Sequence, residues 1–327
     1  MANLVTIYGG SGFVGRYIAQ KMAKQGWRVR VAVRRPNEAL FVRPFGAVGQ
    51  VEPVLCNIRD DDSVRAAMRG ADAVVNCVGT FDAGGKNSFD AVHVQGAGRV
   101  ARLAAEEGVS RMVQVSALGA DEDSDSVYLA TKARGEAAVL AHMPSAVILR
   151  PSVIFGTEDK FFNRFGLMTL MTPILPIVGA ETKFQPVSVD DVAAAAVQGV
   201  TGAAPSGVYE LGGPDVASFR SLMDVLRTVV QRRTLIANVP FWIAGIMANV
   251  LSFAQTITVG LFKNTILTPD QVRGLKTDSI VSQGAKSFVD MGIDPVSMEV
   301  VLPTYLWRFR PSGQYAAIKN SAKNLRT

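Results

Sequence analysis

Histidine and cysteine are scarce, two of each in 327 residues, and neither pair is clustered. With no CxxC and no His, Cys or carboxylate group at ligand spacing, the sequence excludes a soft-metal centre and a disulfide framework. Cys56 and Cys77 lie in apolar, strand-like runs and read as reduced core residues of a cytosolic-type protein. His93 sits in a helical stretch without a ligand partner and reads as a packing or surface histidine. Internal repeats and low-complexity tracts are lacking too. The first strand begins almost at Met1, which leaves no room for a signal or transit peptide, so the chain is expected to stay where it is made.

Charge is thin and unevenly placed. Only 19% of residues are charged against 48% hydrophobic, a composition that excludes a disordered chain and supplies one large domain or two lobes. Thr234 to Phe262 is 29 residues without one charge, flanked by Arg232-Arg233 and Lys263. Pro240 interrupts this run and Asn249, Ser252, Gln255 and Thr256 sit inside it, so it makes a poor membrane span. On a helical projection Gly245, Asn249, Ser252 and Thr256 line one side. Ile243, Ile246, Val250, Phe253, Ala254 and Ile257 cover the other, and that face belongs either in the chain's own core or against a partner or membrane interface. Acidic residues are missing after Glu299, while Arg308, Arg310, Lys319, Lys323 and Arg326 follow; the overall balance is +6. From Lys319 to Arg326 the basic tail has no interleaved aromatics, and no nucleic-acid partner is expected.

The most informative stretch is the first. Leu4-Val5-Thr6-Ile7-Tyr8 is a β-branched, apolar strand that runs into Gly9-Gly10-Ser11-Gly12-Phe13-Val14-Gly15 and then a helical pattern at Val14, Ile18 and Met22. Glycine at 9, 12 and 15 permits the turn, the close approach of a pyrophosphate and the packing of helix on strand. The first-turn amides around Phe13 and Val14 then face the anion. Strand two ends at Arg34-Arg35-Pro36, where a carboxylate would bind the ribose of NAD; two arginines, with Arg16 as a third contact, point to the 2′-phosphate of NADP. Asn57 ends strand three, where adenine would lie, and Gly79 follows strand four. Tyr128 and Lys132 share a helix face, and a lysine beside a phenol favours the phenolate needed for general acid/base work. Ser116 ends strand five and Pro151 strand six.

Strands and helices alternate to this point, which predicts an α/β, Rossmann-like, doubly wound parallel sheet with a smaller C-terminal lobe. The expected division is a dinucleotide-binding domain over 1–156, to which 185–212 returns, a smaller lobe with the partner- or membrane-facing segment over 157–311, and a basic tail over 312–327.

The Gly9-Gly12-Gly15 turn, the Tyr128/Lys132 pair, Arg150-Pro151-Ser152 and Val189-Asp190-Asp191-Val192 together resemble the atypical and extended short-chain dehydrogenase/reductases. Catalytic members carry a serine or threonine just past strand five; here Ser116 is followed by Ala117-Leu118-Gly119, so the triad survives only if Ser116 itself serves. More narrowly, the run from Arg150 to Phe165, Pro173-Ile-Leu-Pro176 and Gln185-Pro-Val-Ser-Val-Asp-Asp191 resemble the nucleotide-binding accessory subunits of respiratory complex I. That resemblance implies tightly held NADPH or NADP, a role in assembly or stability, no established turnover and other complex I subunits as partners. Arg232-Arg233, Lys263 and the basic tail fit contact with anionic lipid headgroups, and the absent targeting sequence points to a peripheral place on the cytoplasmic side of a bacterial inner membrane. The alternative is a free-standing NADP-dependent reductase of a hydrophobic carbonyl or a sugar-nucleotide-like substrate.

Overall fold

A computed structural model describes residues 2–81, 85–257 and 267–315, with the side chains of 86 and 254–257 left aside. In chain order it begins with β1 (Leu4–Tyr8), α1 (Phe13–Lys24), β2 (Arg28–Val33), β3 (Val51–Leu55), α2 (Asp61–Met68) and β4 (Ala73–Asn76). There follow α3 (Gln95–Glu106), β5 (Arg111–Val115), α4 (Val127–His142), β6 (Val147–Pro151) and β7 (Ile154–Phe155). Next come α5 (Phe162–Met171), β8 (Ile174–Val178), β9 (Lys183–Phe184), β10 (Val187–Ser188), α6 (Val189–Thr201) and β11 (Gly207–Leu211). The last are β12 (Ala217–Ser218), α7 (Phe219–Val230), β13 (Leu235–Val239), α8 (Phe241–Ile257), α9 (Pro269–Gly274) and α10 (Met298–Leu306).

The chain divides into two compact units. The first comprises 1–152, 189–212 and 281–295; its seven strands pair in the order β11-β6-β5-β4-β1-β2-β3, all parallel. Alternation in β1 sends Leu4, Thr6 and Tyr8 to the face covered by α2, where Thr6 Oγ1 and Tyr8 Oη donate to the Ala67 and Val64 carbonyls at 2.9 and 2.8 Å. Leu103 and Val100 of α3 and Val139 of α4 complete the apolar core on that side. On the other, α6 closes so tightly on the sheet that a Cβ on Gly199 would lie 2.7 Å from Val113. This is the doubly wound Rossmann-like architecture expected from the alternating pattern.

Three boundaries differ from the sequence expectation; residues 185–188, expected to return to the first domain, belong with the second unit. Residues 153–156 belong with the second unit, because Ile154 pairs with Val187. Residues 281–295, expected in the smaller lobe, belong with the first: the Ser282 amide donates to Glu210 at 2.7 Å and the Glu210 amide to the Lys286 carbonyl at 2.8 Å.

The second unit comprises 153–188, 213–280 and 296–327. Phe155, Phe162, Phe219, Leu222, Leu226 and Leu302 form its main core. Gln231 adopts a left-handed φ of 55° and so ends α7 before Arg232. The uncharged run is not one helix: it pairs first as β13 with β8, and α8 starts only after Pro240. Its burial also corrects the projected faces. Ala244 and Ala248 are buried against Val178 and Val272, whereas Trp242, Ile246, Met247, Val250 and Phe253 are exposed along with Asn249. Among the described residues no helix is long and apolar enough to cross a membrane. Lys263 and the tail residues Lys319, Lys323 and Arg326 lie outside the described residues.

Candidate nucleotide-binding site

The carboxyl ends of the parallel strands assemble the site. Gly9 follows β1, Arg34 follows β2, Asn57 lies just past β3, Gly79 just past β4, Ser116 follows β5 and Pro151 closes β6. From β1 the strand order builds outward through β2 and β3 on one side and through β4 and β5 on the other. In open parallel sheets ligands bind outside the carboxyl ends at such a switch point.

The glycine turn is shaped by backbone contact. Gly9 takes a φ of 73°, which a side chain would resist, and its amide donates to Ala32 at 2.9 Å. A Cβ on Gly15 would lie 2.5 Å from the Gly9 carbonyl oxygen and 2.7 Å from Gly10 Cα, so α1 can approach β1 this closely only with glycine there. Gly12 is the N-cap of α1, without a side-chain cap and without an acidic residue in the first turn. No side-chain oxygen competes for the first amides at Phe13 and Val14, and a pyrophosphate fits this cradle by hydrogen bonding and helix polarity.

The arginines differ from one another. Arg16 donates from Nη2 to the Ser11 carbonyl at 3.0 Å, and its guanidinium lies 4.7 Å from the ring centroid of Phe41. Phe41 belongs to a 3-10 stretch, Pro36–Phe45, that sequence periodicity did not reveal; Pro36 at its first position was the available signal. Arg34 and Arg35 are both exposed. Arg35, however, pairs with Glu38 at 2.9 Å, so the carboxylate missing from the strand end is supplied by the following turn. Arg34 makes no ion pair among the described residues. Asn57 serves a local turn: its Oδ1 accepts from the Arg59 amide at 3.2 Å, and its own amide donates to Ser63 Oγ at 2.9 Å.

The other end of the site gathers Gly79, His93, Tyr128 and Lys132. A Cβ on Gly79 would lie 3.4 Å from Lys132 Nζ and 3.8 Å from His93 Nε2. Lys132 is buried and donates to the Val115 carbonyl at 3.3 Å; burial draws its pKa down to about 8 against the pull of Glu136 and Cys77. Tyr128 stacks on Phe81 at 4.9 Å and meets Phe89 and His93 edge-on. Burial raises the phenol's pKa above its ordinary value, which opposes the phenolate that Lys132, with Nζ 5.8 Å from the ring centroid, would favour. Cys77 is likewise pushed up by burial to about 12, which keeps it a thiol.

His93 is the residue the sequence undervalued. It is buried in a π-helical turn, Asp90–Val94, just before α3. Its Nε2 accepts from the Thr80 amide at 3.1 Å, which places the proton on Nδ1, directed to Thr131 Oγ1 at 3.1 Å. Thr131 in turn donates to the Tyr128 carbonyl at 2.9 Å. Burial first, then Lys132, lowers the His93 pKa to about 3, so the ring is neutral.

Ser116 stands at the end of β5 with its hydroxyl already engaged. Its hydroxyl donates to the buried Glu136 carboxylate, which Arg150 clamps through Nη2 at 2.7 Å and Nε at 3.0 and 3.1 Å. That proton is committed inside the protein, and Ala117, Leu118 and Gly119 carry no hydroxyl to replace it for a substrate carbonyl. Among the described residues no cluster could hold a metal ion.

Comparison with known proteins places these features in a family. A model described as NAD(P)H-binding matches residues 9–201. The NADH dehydrogenase (ubiquinone) 1 alpha subcomplex subunit 9, mitochondrial, of Arabidopsis thaliana is 35% identical over 316 residues, covering 95% of this chain and 79% of that protein. A ceramide reductase of Caulobacter vibrioides is 36% identical over 193 residues, 58% of this chain and 59% of that one. Among solved structures, the Thermus thermophilus UDP-glucose 4-epimerase in complex with NAD matches with a TM-score of 0.64 at 17% identity, over 94% of this chain and 99% of that one, a likeness of fold alone. The chain belongs to the NAD(P)H-binding family and to the family of the NADH dehydrogenase (ubiquinone) 1 alpha subcomplex subunit 9.

Proposed function

We propose that this chain is an accessory subunit of respiratory complex I that holds NADP(H), supports assembly or stability, and turns over no substrate of its own. The relationship to the Arabidopsis subunit over 95% of the chain carries this reading. The glycine cradle at Gly9, Gly12 and Gly15 holds the pyrophosphate, with the Phe13 and Val14 amides. Arg34, Arg16 and, released from Glu38, Arg35 hold the 2′-phosphate. Asn57 borders the adenine, and Gly79, Tyr128, Lys132 and Pro151 line the nicotinamide end. A bound nicotinamide supplies hydride chemistry; the commitment of Ser116 to Glu136 deprives a substrate carbonyl of its hydrogen-bond donor.

The place of action in this reading is peripheral, on the cytoplasmic side of a bacterial inner membrane. The exposed face of α8 (Trp242, Ile246, Val250, Phe253) supplies the attachment surface. The test is affinity capture of the tagged full chain from detergent-solubilised membranes, with mass spectrometry of partners and of released nucleotide. Complex I subunits together with NADPH or NADP are expected; capture of the chain alone, or with NAD, overturns the reading.

One observation favours a second reading. Tyr128 and Lys132 stand one helical turn apart on α4, as a short-chain reductase acting on a hydrophobic carbonyl requires. NADPH oxidation by the purified chain against a carbonyl panel, abolished by Tyr128→Phe, would establish it in place of the first.

A further inference from the structure

The end of α7 in the second unit is crowded with arginine. Arg227, Arg232 and Arg233 line an open cleft of about 410 Å³, with Asp224 the only carboxylate among the described residues that line it. An adjoining cleft of about 360 Å³ shares Arg232 and Arg233 and extends to Leu170, Met171 and Thr234. Part of this charge has an internal explanation, because cations are favoured where helix carbonyls end. Arg310 Nε donates to the Val229 carbonyl at 2.7 Å and Arg232 Nε to the Phe309 carbonyl at 2.7 Å. Two features remain. Arg233 is exposed and has no partner among the described residues. Arg227 pairs with Asp224 through Nη1 at 2.9 Å, yet its Nε is the one buried side-chain polar atom without a hydrogen-bond partner among the described residues. That atom is enclosed, so it is the accessible remainder of the Arg227 guanidinium, 35% exposed as a side chain, and the whole of Arg233 that can meet a phosphate oxygen with planar donors.

Exposed apolar side chains adjoin the smaller cleft, at its lining residue Met171 and at Ile174 and Leu235, next in sequence to the lining Pro173 and Thr234. Met171 is 75% exposed and Leu235 70%, and Leu235 pairs in register with the exposed Ile174. Arginines set beside exposed aliphatic side chains complement a ligand that joins a phosphate to hydrocarbon.

We infer that the Arg227–Arg232–Arg233 cleft binds the phosphate of an anionic phospholipid, whose acyl region lies along Met171, Ile174 and Leu235. The inference rests on the membrane-peripheral part of the proposed function and specifies its chemistry. Its deciding measurement uses the purified full chain and vesicles, so it can fail while capture with complex I subunits stands; capture of the variants is the second measurement. Co-sedimentation is measured with phosphatidylcholine vesicles, with and without phosphatidylglycerol, at low and high salt. Binding is expected only with the anionic lipid, falling about fivefold for each arginine removed in Arg227→Gln and Arg233→Gln. Unchanged thermal midpoint and NADPH binding verify folding; should the Arg227 variant fail to fold, Arg233→Gln alone decides, since its side chain supports nothing else. Equal binding to neutral vesicles, or wild-type affinity in the variants, overturns the inference. Full release by millimolar inorganic phosphate at constant ionic strength reassigns the cleft to free phosphate. Loss of complex I partners from the variants with vesicle binding intact reassigns it to an acidic protein surface.

Discussion

In α3 of the first unit Ala97, Val100, Ala101, Leu103 and Ala104 are all buried, whereas in α8 of the second unit Ala244 and Ala248 are buried and Trp242, Ile246, Met247, Val250 and Phe253 face outward. Both helices are rich in apolar residues, yet α3 turns its bulk to a core and α8 turns its smallest residues inward. Burial of large side chains stabilises the chain that buries them. An outward apolar row stabilises nothing until another surface covers it, and so it marks an interface. In the proposed function the first unit holds the nucleotide, and the second offers the surface that a neighbour covers.

The sharpest way to break this contrast is to place a carboxylate on each helix. Leu103→Asp is expected to destabilise the protein by about 3–5 kcal/mol, since an unpaired charge would enter the core. Phe253→Asp with Val250→Asp is expected to change stability by less than about 0.5 kcal/mol per site while releasing the protein from membranes at any ionic strength. Urea unfolding and membrane fractionation measure the two effects. A folded α8 variant that stays fully membrane-bound would remove the attachment role from this face.

Next in size is cofactor choice. Arg34→Gln with Arg35→Gln is expected to weaken NADPH by about 1.5–3 kcal/mol and leave NADH affinity nearly unchanged, because the lost contacts are charge-assisted bonds to the 2′-phosphate. Calorimetry with both nucleotides tests this, and equal losses for the two would discard the selector role.

His93 sharpens the comparison by pH. Its folded pKa near 3 lies below the ordinary 6.5, so between these values the unfolded chain binds a proton that the folded one refuses. Stability therefore falls as pH drops through that window, with a slope of up to about 1.4 kcal/mol per pH unit from this group. His93→Gln should flatten the curve relative to wild type below pH 6.5, as read by chemical denaturation across pH. An unaltered slope would show that His93 does not titrate this way.

The smallest effect concerns Glu38. Breaking its exposed ion pair with Glu38→Gln should free Arg35 and tighten NADPH by about 0.2–1 kcal/mol, an effect that fades in high salt. Weaker binding would mean that Glu38 orients Arg35 for the phosphate.

What the sequence determined by itself is local and periodic. A β-branched run, glycines at fixed spacing and a helical repeat dictate strand, turn and helix through backbone sterics alone, and the repetition of that unit dictates a parallel sheet whose strand ends collect Gly9, Arg34, Asn57, Gly79, Ser116 and Pro151 on one side. The tertiary structure alone decided whatever depends on a partner distant in sequence or on which face is covered. Ser116 commits its hydroxyl proton to the Glu136 carboxylate on α4, His93 is held neutral by burial and then by the nearby Lys132, and residues 281–295 join the first unit through Glu210. The uncharged run shows the same limit. Its composition announces an apolar helix, but hydrophobicity is non-directional, and only the packing of Ala244 and Ala248 on Val178 and Val272 determined that the large side chains point outward.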